Sequence, residues 1–164
     1  MESMWAPWRI RYIEQATSGR KEEGCILCDH PAAQDDVGTL LLFRGRLNYV
    51  MMNRYPYNAG HLMVVPYRHL NSPELMTAAG RNEHFKIVSD SVAALKKVYR
   101  CDGFNIGMNL GRAAGAGIDQ HMHTHIVPRW SGDTNFMPVL ADIKVVNEAL
   151  QETYKTLKPY FARL

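Results

Sequence analysis

The stretch His121-Met122-His123-Thr124-His125-Ile126-Val127, followed by Pro128-Arg129-Trp130, decides how this chain reads. Taken as a strand, it alternates faces with period two. His121, His123 and His125 then share one side, and Met122, Thr124 and Ile126 the other. Neighbouring imidazoles on that side stand roughly 6–7 Å apart, two residues at the strand rise. Three unpartnered rings would cost desolvation in a core, where histidine is only an intermediate occupant. Chance clustering on a wet strand is the plain alternative. Strict alternation and a glycine-rich loop leading in argue against it. Such a face can bind a metal, supply a nucleophile, or do both.

Working outward, the loop is Gly111-Arg112-Ala113-Ala114-Gly115-Ala116-Gly117. Glycines such as Gly115 and Gly117 let backbone amides point at an anion, and Arg112 can add charge. An anion cradle beside a candidate nucleophile is a phosphoryl-transfer layout. Before it, Phe104–Leu110 reads as a strand. Leu40–Phe43 and Leu47–Met52, split by Arg44-Gly45-Arg46, read as a hairpin. Asn53 to Gly60 is a loop. His61–Val65 is a continuous apolar strand ended by Pro66, and so a central one. Asn71-Ser72-Pro73-Glu74 reads as a helix start. Phe85, Val88, Val92, Leu95 and Tyr99 recur at helical spacing as one stripe facing a sheet. Gly80 is a potential bend, and the helix ends near Asp102-Gly103. His84 falls on its polar side and is read as solvated. After a second loop holding Pro138, residues Val145, Val146, Ala149, Leu150, Thr153 and Leu157 suggest a closing helix. The expected architecture is α+β, with a mainly antiparallel sheet of about five strands, a long helix packed on it and a C-terminal helix.

The chain has 164 residues, 46% hydrophobic and 21% charged, with a formal net charge of +3. That suits one domain over 1–164 and is too mild a charge to argue for nucleic acid. No apolar run is long enough to span a bilayer. Met1-Glu2-Ser3-Met4-Trp5 lacks a signal-peptide pattern, so a cytoplasmic protein is expected. Residues 1–20, with Trp5, Trp8, Arg9, Arg11 and Tyr12 around Pro7, read as an arm or as a plain helix. The core is expected over 25–130, and a helical extension over 139–164.

Three cysteines, Cys25, Cys28 and Cys101, do not make a disulfide framework in a reducing compartment. Cys25-Ile26-Leu27-Cys28 has the spacing of half a zinc site, of a redox pair, or of two small hydrophobes in a turn. Cys101 reads as a small hydrophobe near a helix end.

The triad resembles the pattern of the histidine triad family. Met52-Asn53-Arg54 with Pro56, Gly60-His61 and the strand to Pro66, and Pro128-Arg129 are similar to its fragile histidine triad branch. The likeness runs from Cys25 to Trp130. It implies a nucleotidyl hydrolase or transferase acting on dinucleoside polyphosphates or nucleoside phosphate conjugates. The middle histidine, His123, would attack the α-phosphorus, and water or another acceptor would resolve the nucleotidyl-histidine. The resemblance makes His125 a phosphate donor, Asn53 a ribose ligand, Asn109 a phosphate-chain contact and His61 a neighbour of the site. It also implies a closed, structural zinc site of Cys25, Cys28, His69 and His121, with His30 as the alternative fourth ligand.

The glycine-rich loop, the triad, Pro128-Arg129-Trp130 and then Gly132-Asp133 with Asn135-Phe136 are together similar to bacterial members that include diadenosine tetraphosphate phosphorylases, where phosphate is the acceptor. The sequence departs from the family at Ile118, where a hydroxyl or glutamine often assists the leaving group. Two rival readings are a catalytic metal held by the histidines and a nucleotide-binding module without turnover. The resemblance further implies a homodimer and purine nucleotides.

Overall fold

The computed structural model describes residues 24–133, 149–162 and 164. The arm at 1–20 and the stretch 134–148, with Asn135, Phe136, Pro138, Val145 and Val146, lie outside the described residues.

Five strands form one antiparallel sheet in the order β1-β2-β3-β5-β4. They are β1 (Leu41–Arg44), β2 (Asn48–Met52), β3 (Leu62–Pro66), β4 (Gly103–Gly107) and β5 (Thr124–Arg129). The apolar runs fall where expected, and β3 is central. Every residue of β2 and β3 is buried because both sheet faces are covered.

On one face Val50, Met52, Leu62, Val64 and Ile126 pack against two helices, α2 (Ala78–Tyr99) and α3 (Leu150–Phe161). On the other, Tyr49, Met51, Met63 and Val65 pack with Leu27 of α1 (Ile26–Ala32), and Ile118 joins them. Each such side chain, fully buried, contributes roughly 1.5–3 kcal/mol. Ile118 thus spends its side chain on packing.

The cysteine pair opens a helix, not an isolated turn. The amides of Cys28 and Asp29 both donate to Cys25 O, at 2.7 and 2.9 Å. Pro31 inside α1 masked it in the sequence.

The long helix departs from expectation at three points. The Asn71–Glu74 signal makes only a 3₁₀ turn, Pro73–Leu75, and Met76 is extended. The helix starts at Ala78, where the Thr77 hydroxyl accepts from Gly80 N–H at 3.1 Å. Gly80 therefore belongs to a capped first turn. The helix ends at Tyr99, with Arg100 left-handed at φ 46°.

Its buried face also differs. Phe85 is 73% exposed, whereas His84 is only 4% exposed. The buried arc runs through His84, Ile87, Val88, Ser91, Ala94 and Leu95. Phe85 sits about 100° around the helix from His84, at the rim of that arc. His84 is buried because it is hydrogen-bonded at both ring nitrogens.

Helix α3 buries Thr153, Tyr154, Leu157 and Phe161 at helical spacing. Tyr154 Oη donates to Leu41 O, and Lys158 Nζ reaches Leu41 O and Leu42 O. No helix among the described residues is long and apolar enough to cross a membrane.

Candidate active site

The strand that carries the triad is shorter than its alternation suggests. β5 begins at Thr124, so only His125 of the three histidines lies on it. The ladder with β3 ends at the pair Val64↔Thr124. Two residues on, Pro66 has no N–H to continue it, and its carbonyl accepts from His121 Nε2 at 2.8 Å. Met122 turns away to donate its amide to Leu70 O, and its side chain packs with Leu70 and Met76.

The three rings therefore enter three environments. His121 is fully buried and turns Nδ1 toward Cys25 Sγ (3.3 Å) and Cys28 Sγ (3.4 Å). His69 Nδ1 stands 3.4 Å from Cys28 Sγ. The ligand atoms of Cys25, Cys28, His69 and His121 all lie within 4.8 Å of one another. A tetrahedral ion with Zn–S about 2.3 Å and Zn–N about 2.0–2.1 Å separates sulfur from nitrogen by about 3.5 Å, so the donors fit one. Burial, then the neighbouring Cys25, pushes the Cys28 thiol up to about 11. Binding a cation there would release protons. His69, not His30, completes the set.

His123 is 8% exposed, and its Nδ1 lies 3.0 Å from His121 O. A carbonyl only accepts, so Nδ1 carries the proton and Nε2 the lone pair. Burial lowers the affinity of His123 for a second proton, and the bond to His121 O offsets part of that. The residue is built as a neutral imidazole with its far nitrogen bare, the state a nucleophile needs.

His125 follows a longer relay. The Tyr57 amide donates to His61 Nδ1 at 3.1 Å. The neutral His61 ring then holds its proton on Nε2, which faces His125 Nδ1 at 2.9 Å. His125 Nδ1 accepts, leaving an N–H on Nε2. Tyr57 stacks on His61 at 4.7 Å between centroids, and the His123 and His125 rings meet edge-on at 4.7 Å. One acceptor nitrogen and one donor N–H thus lie side by side.

Asn53 opens the loop that His61 closes. Its amide donates to His61 O at 3.0 Å, and its Oδ1 accepts from Tyr55 N–H. Asn109 is half-buried, two residues beyond the pair Gly107↔His125, so the register carries it toward His123. The glycine loop forms a 3₁₀ turn, Arg112–Ala114, between Gly111 and Gly115 at φ 76° and 80°. Gly115 and Gly117 are exposed. Arg112 is paired with Asp119 at 2.8 Å, so part of its charge is already engaged.

Sequence reading missed several supports. Asp133 takes the Arg129 guanidinium at 2.6 and 2.7 Å and the Asn58 amide at 2.7 Å. This ties the 53–61 loop to the end of β5. The bonds from Arg129 hold the Asp133 carboxyl well below the usual carboxylate range. Tyr57 contributes a backbone amide, which side-chain chemistry does not advertise.

The sequence model of the HIT domain family matches residues 37–132, more than half of the chain, and the protein belongs to that family. It is 36% identical over 168 residues to the AP-4-A phosphorylase of Mycobacterium tuberculosis strain H37Rv, covering 99% of this chain and 86% of that protein. It is 30% identical over 97 residues to the asymmetrical bis(5'-nucleosyl)-tetraphosphatase of Schizosaccharomyces pombe, covering 59% of this chain and 53% of that protein. Among solved structures, a zinc-bound histidine triad family protein from Mycobacterium smegmatis shares the fold, with TM-score 0.69 at 20% identity. It covers 86% of this chain and 95% of that one.

Proposed function

We propose that this protein cleaves dinucleoside polyphosphates by nucleotidyl transfer through His123. The observation that carries the reading is the bond from His123 Nδ1 to His121 O, which leaves Nε2 as a bare acceptor beside the His125 N–H.

In the first step Nε2 attacks the α-phosphorus. The N–P bond forms as the bridging P–O bond breaks, and the second nucleotide leaves with the electron pair. His125 Nε2–H donates to a phosphate oxygen as charge builds there. In the second step an acceptor oxygen displaces His123 and restores the neutral ring. The phosphorylase name of the Mycobacterium tuberculosis relative favours inorganic phosphate as acceptor. Water is the alternative, and the hydrolase name of the Schizosaccharomyces pombe relative favours it.

Asn53 would hold the ribose, and Asn109, Arg112, Gly115 and Gly117 the phosphate chain. Purine nucleotides are the expected substrates. Cys25, Cys28, His69 and His121 would hold a structural zinc ion. When bound, that ion cross-links α1, the segment after β3 and the approach to β5, with no open position for substrate. The same reading takes 1–164 as a single domain of a cytoplasmic homodimer. Ile106 on edge strand β4, with Met108 and Leu110 just beyond it, is exposed and apolar, which suits an isologous edge.

The test is product analysis with diadenosine tetraphosphate, with and without inorganic phosphate. ADP and ATP formed only with phosphate identify a phosphorylase; AMP and ATP formed without it identify a hydrolase. His123→Ala is expected to lower turnover roughly 10⁴-fold or more while keeping its thermal transition. Turnover by that variant would overturn the covalent mechanism. Tight nucleotide binding by the wild type with no product would leave a binding module.

A further inference from the structure

A polar chain, buried over Asn48, His84 and Thr124, runs from β2 through α2 to β5 behind the catalytic histidines. The amides of Arg46 and Leu47 donate to the Glu83 carboxylate at 2.9 and 2.7 Å. Asn48 Nδ2 donates to the same carboxylate at 2.8 Å and to Gly80 O at 3.1 Å. Both partners only accept, which settles the orientation of the Asn48 amide. Its Oδ1 therefore faces His84 Nδ1 at 2.9 Å, and that nitrogen carries the ring proton. Nε2 of the neutral ring is then an acceptor, and Thr124 Oγ1 donates to it at 2.7 Å. Asn48, His84 and Thr124 are all buried. Burial lowers His84 to about 4, with Glu83 pulling the other way, so the ring stays neutral and the chain keeps its direction.

The far end of this chain lies at the catalytic centre. Thr124 sits between His123 and His125 and is the first residue of β5. It is also the last to pair with β3 before the chain turns irregular. The Thr124 side chain is therefore an anchor next to the nucleophile on the face that packs against α2. A fully satisfied buried chain specifies one geometry where apolar side chains would only fill volume.

We infer that His84 is a positioning residue for the reaction: by accepting the Thr124 hydroxyl it fixes the start of β5, and with it the placement of His123 and His125. This rests on His123 being the nucleophile.

Thr124→Val removes the donor at constant shape, and Thr124→Ser keeps it. Thr124→Val alone strands His84 Nε2 in the core; adding His84→Phe removes that atom but leaves Asn48 Oδ1 without its donor, so both variants are assayed below their melting transitions. Kinetics use diadenosine tetraphosphate, with turnover per nucleotidyl-trapped site. Below its melting transition the double variant is expected to lose about 10- to 100-fold in kcat, with KM within about twofold. Thr124→Ser is expected to remain close to wild type. Without substrate, ¹⁵N spectra should show the Nδ1–H tautomer at His84 in the wild type. The ring signals of His123 and His125 should shift in the double variant.

Wild-type kcat and unshifted signals in the double variant overturn the inference, as does a Thr124→Ser loss equal to that of Thr124→Val. His123→Ala separates the two readings. If it stays active, the nucleophile assignment fails. If it is inert while the double variant is normal, only the role of His84 fails.

Discussion

The two ends of the triad are held by opposite means. At His121 the ring is locked from several sides, by two sulfur atoms, the His69 ring and the Pro66 carbonyl. At His125 the ring is directed by a line of hydrogen bonds, from the Tyr57 amide through His61. The first arrangement fixes where the backbone is, and His123 needs that because its proton rests on the His121 carbonyl. The second fixes which nitrogen holds a proton. Identical side chains at alternate positions thus enter three settings: a ring against two sulfur atoms, a ring with a bare nitrogen and a ring with a directed N–H. His121 and His125 owe their settings to partners far away in sequence, and His123 to a carbonyl two residues before it.

The sulfur end should respond most strongly to perturbation. Cys28→Ser, or a strong chelator, is expected to lower the melting temperature by roughly 10 °C, about 3–5 kcal/mol for a chain of this length. Scanning calorimetry with and without added zinc checks this. A chelator-insensitive wild type with an unshifted Cys28→Ser variant would remove the metal from the account. Activity should fall in parallel, because the His121 carbonyl loses its anchor.

The other end should respond in kinetics alone. His61→Phe keeps an aromatic ring beside Tyr57 and removes the N–H that sets the His125 tautomer. We expect kcat to drop about 10²-fold with the fold retained. Steady-state kinetics beside a thermal melt separate the two effects. If stability and not kcat suffers, His61 is a packing residue and the two ends are alike.

How legible each end was in the sequence follows the same division. The strands were readable because β2 and β3 are buried on both faces and announce themselves as apolar runs. The triad stood out by alternation, although Pro66 cuts its strand short. Nothing local joins Cys25 to His121, 96 positions apart; that link came from family resemblance. Helix α1 was hidden by Pro31. The face of α2 was read from apolar spacing, so it took in Phe85 and left out His84. A histidine that is buried because both nitrogens are satisfied looks, in a sequence, like one that is wet. Asn48 and Glu83 lie 36 and 35 positions from their partners in this network, beyond any periodicity.

That buried histidine also gives the smallest effect, and one with a defined sign. The His84 ring is held near 4 in the folded protein by burial, against 6.5 when unfolded. Between these values the unfolded chain binds a proton that the folded chain refuses, so stability falls as the pH drops below about 6.5 and levels off below about 4. At pH 5.5 the loss is about 1 kcal/mol. His121 and His123, also lowered by burial, add to it in the same direction. The double variant Thr124→Val with His84→Phe isolates the share of His84. Urea unfolding at pH 7.5 and 5.5 should show a smaller difference in the variant than in the wild type. An equal difference would mean that His84 is already protonated at pH 5.5 and that Thr124 cannot be its donor. The ring would then donate to the Thr124 hydroxyl, while the bond to Asn48 Oδ1 kept its direction.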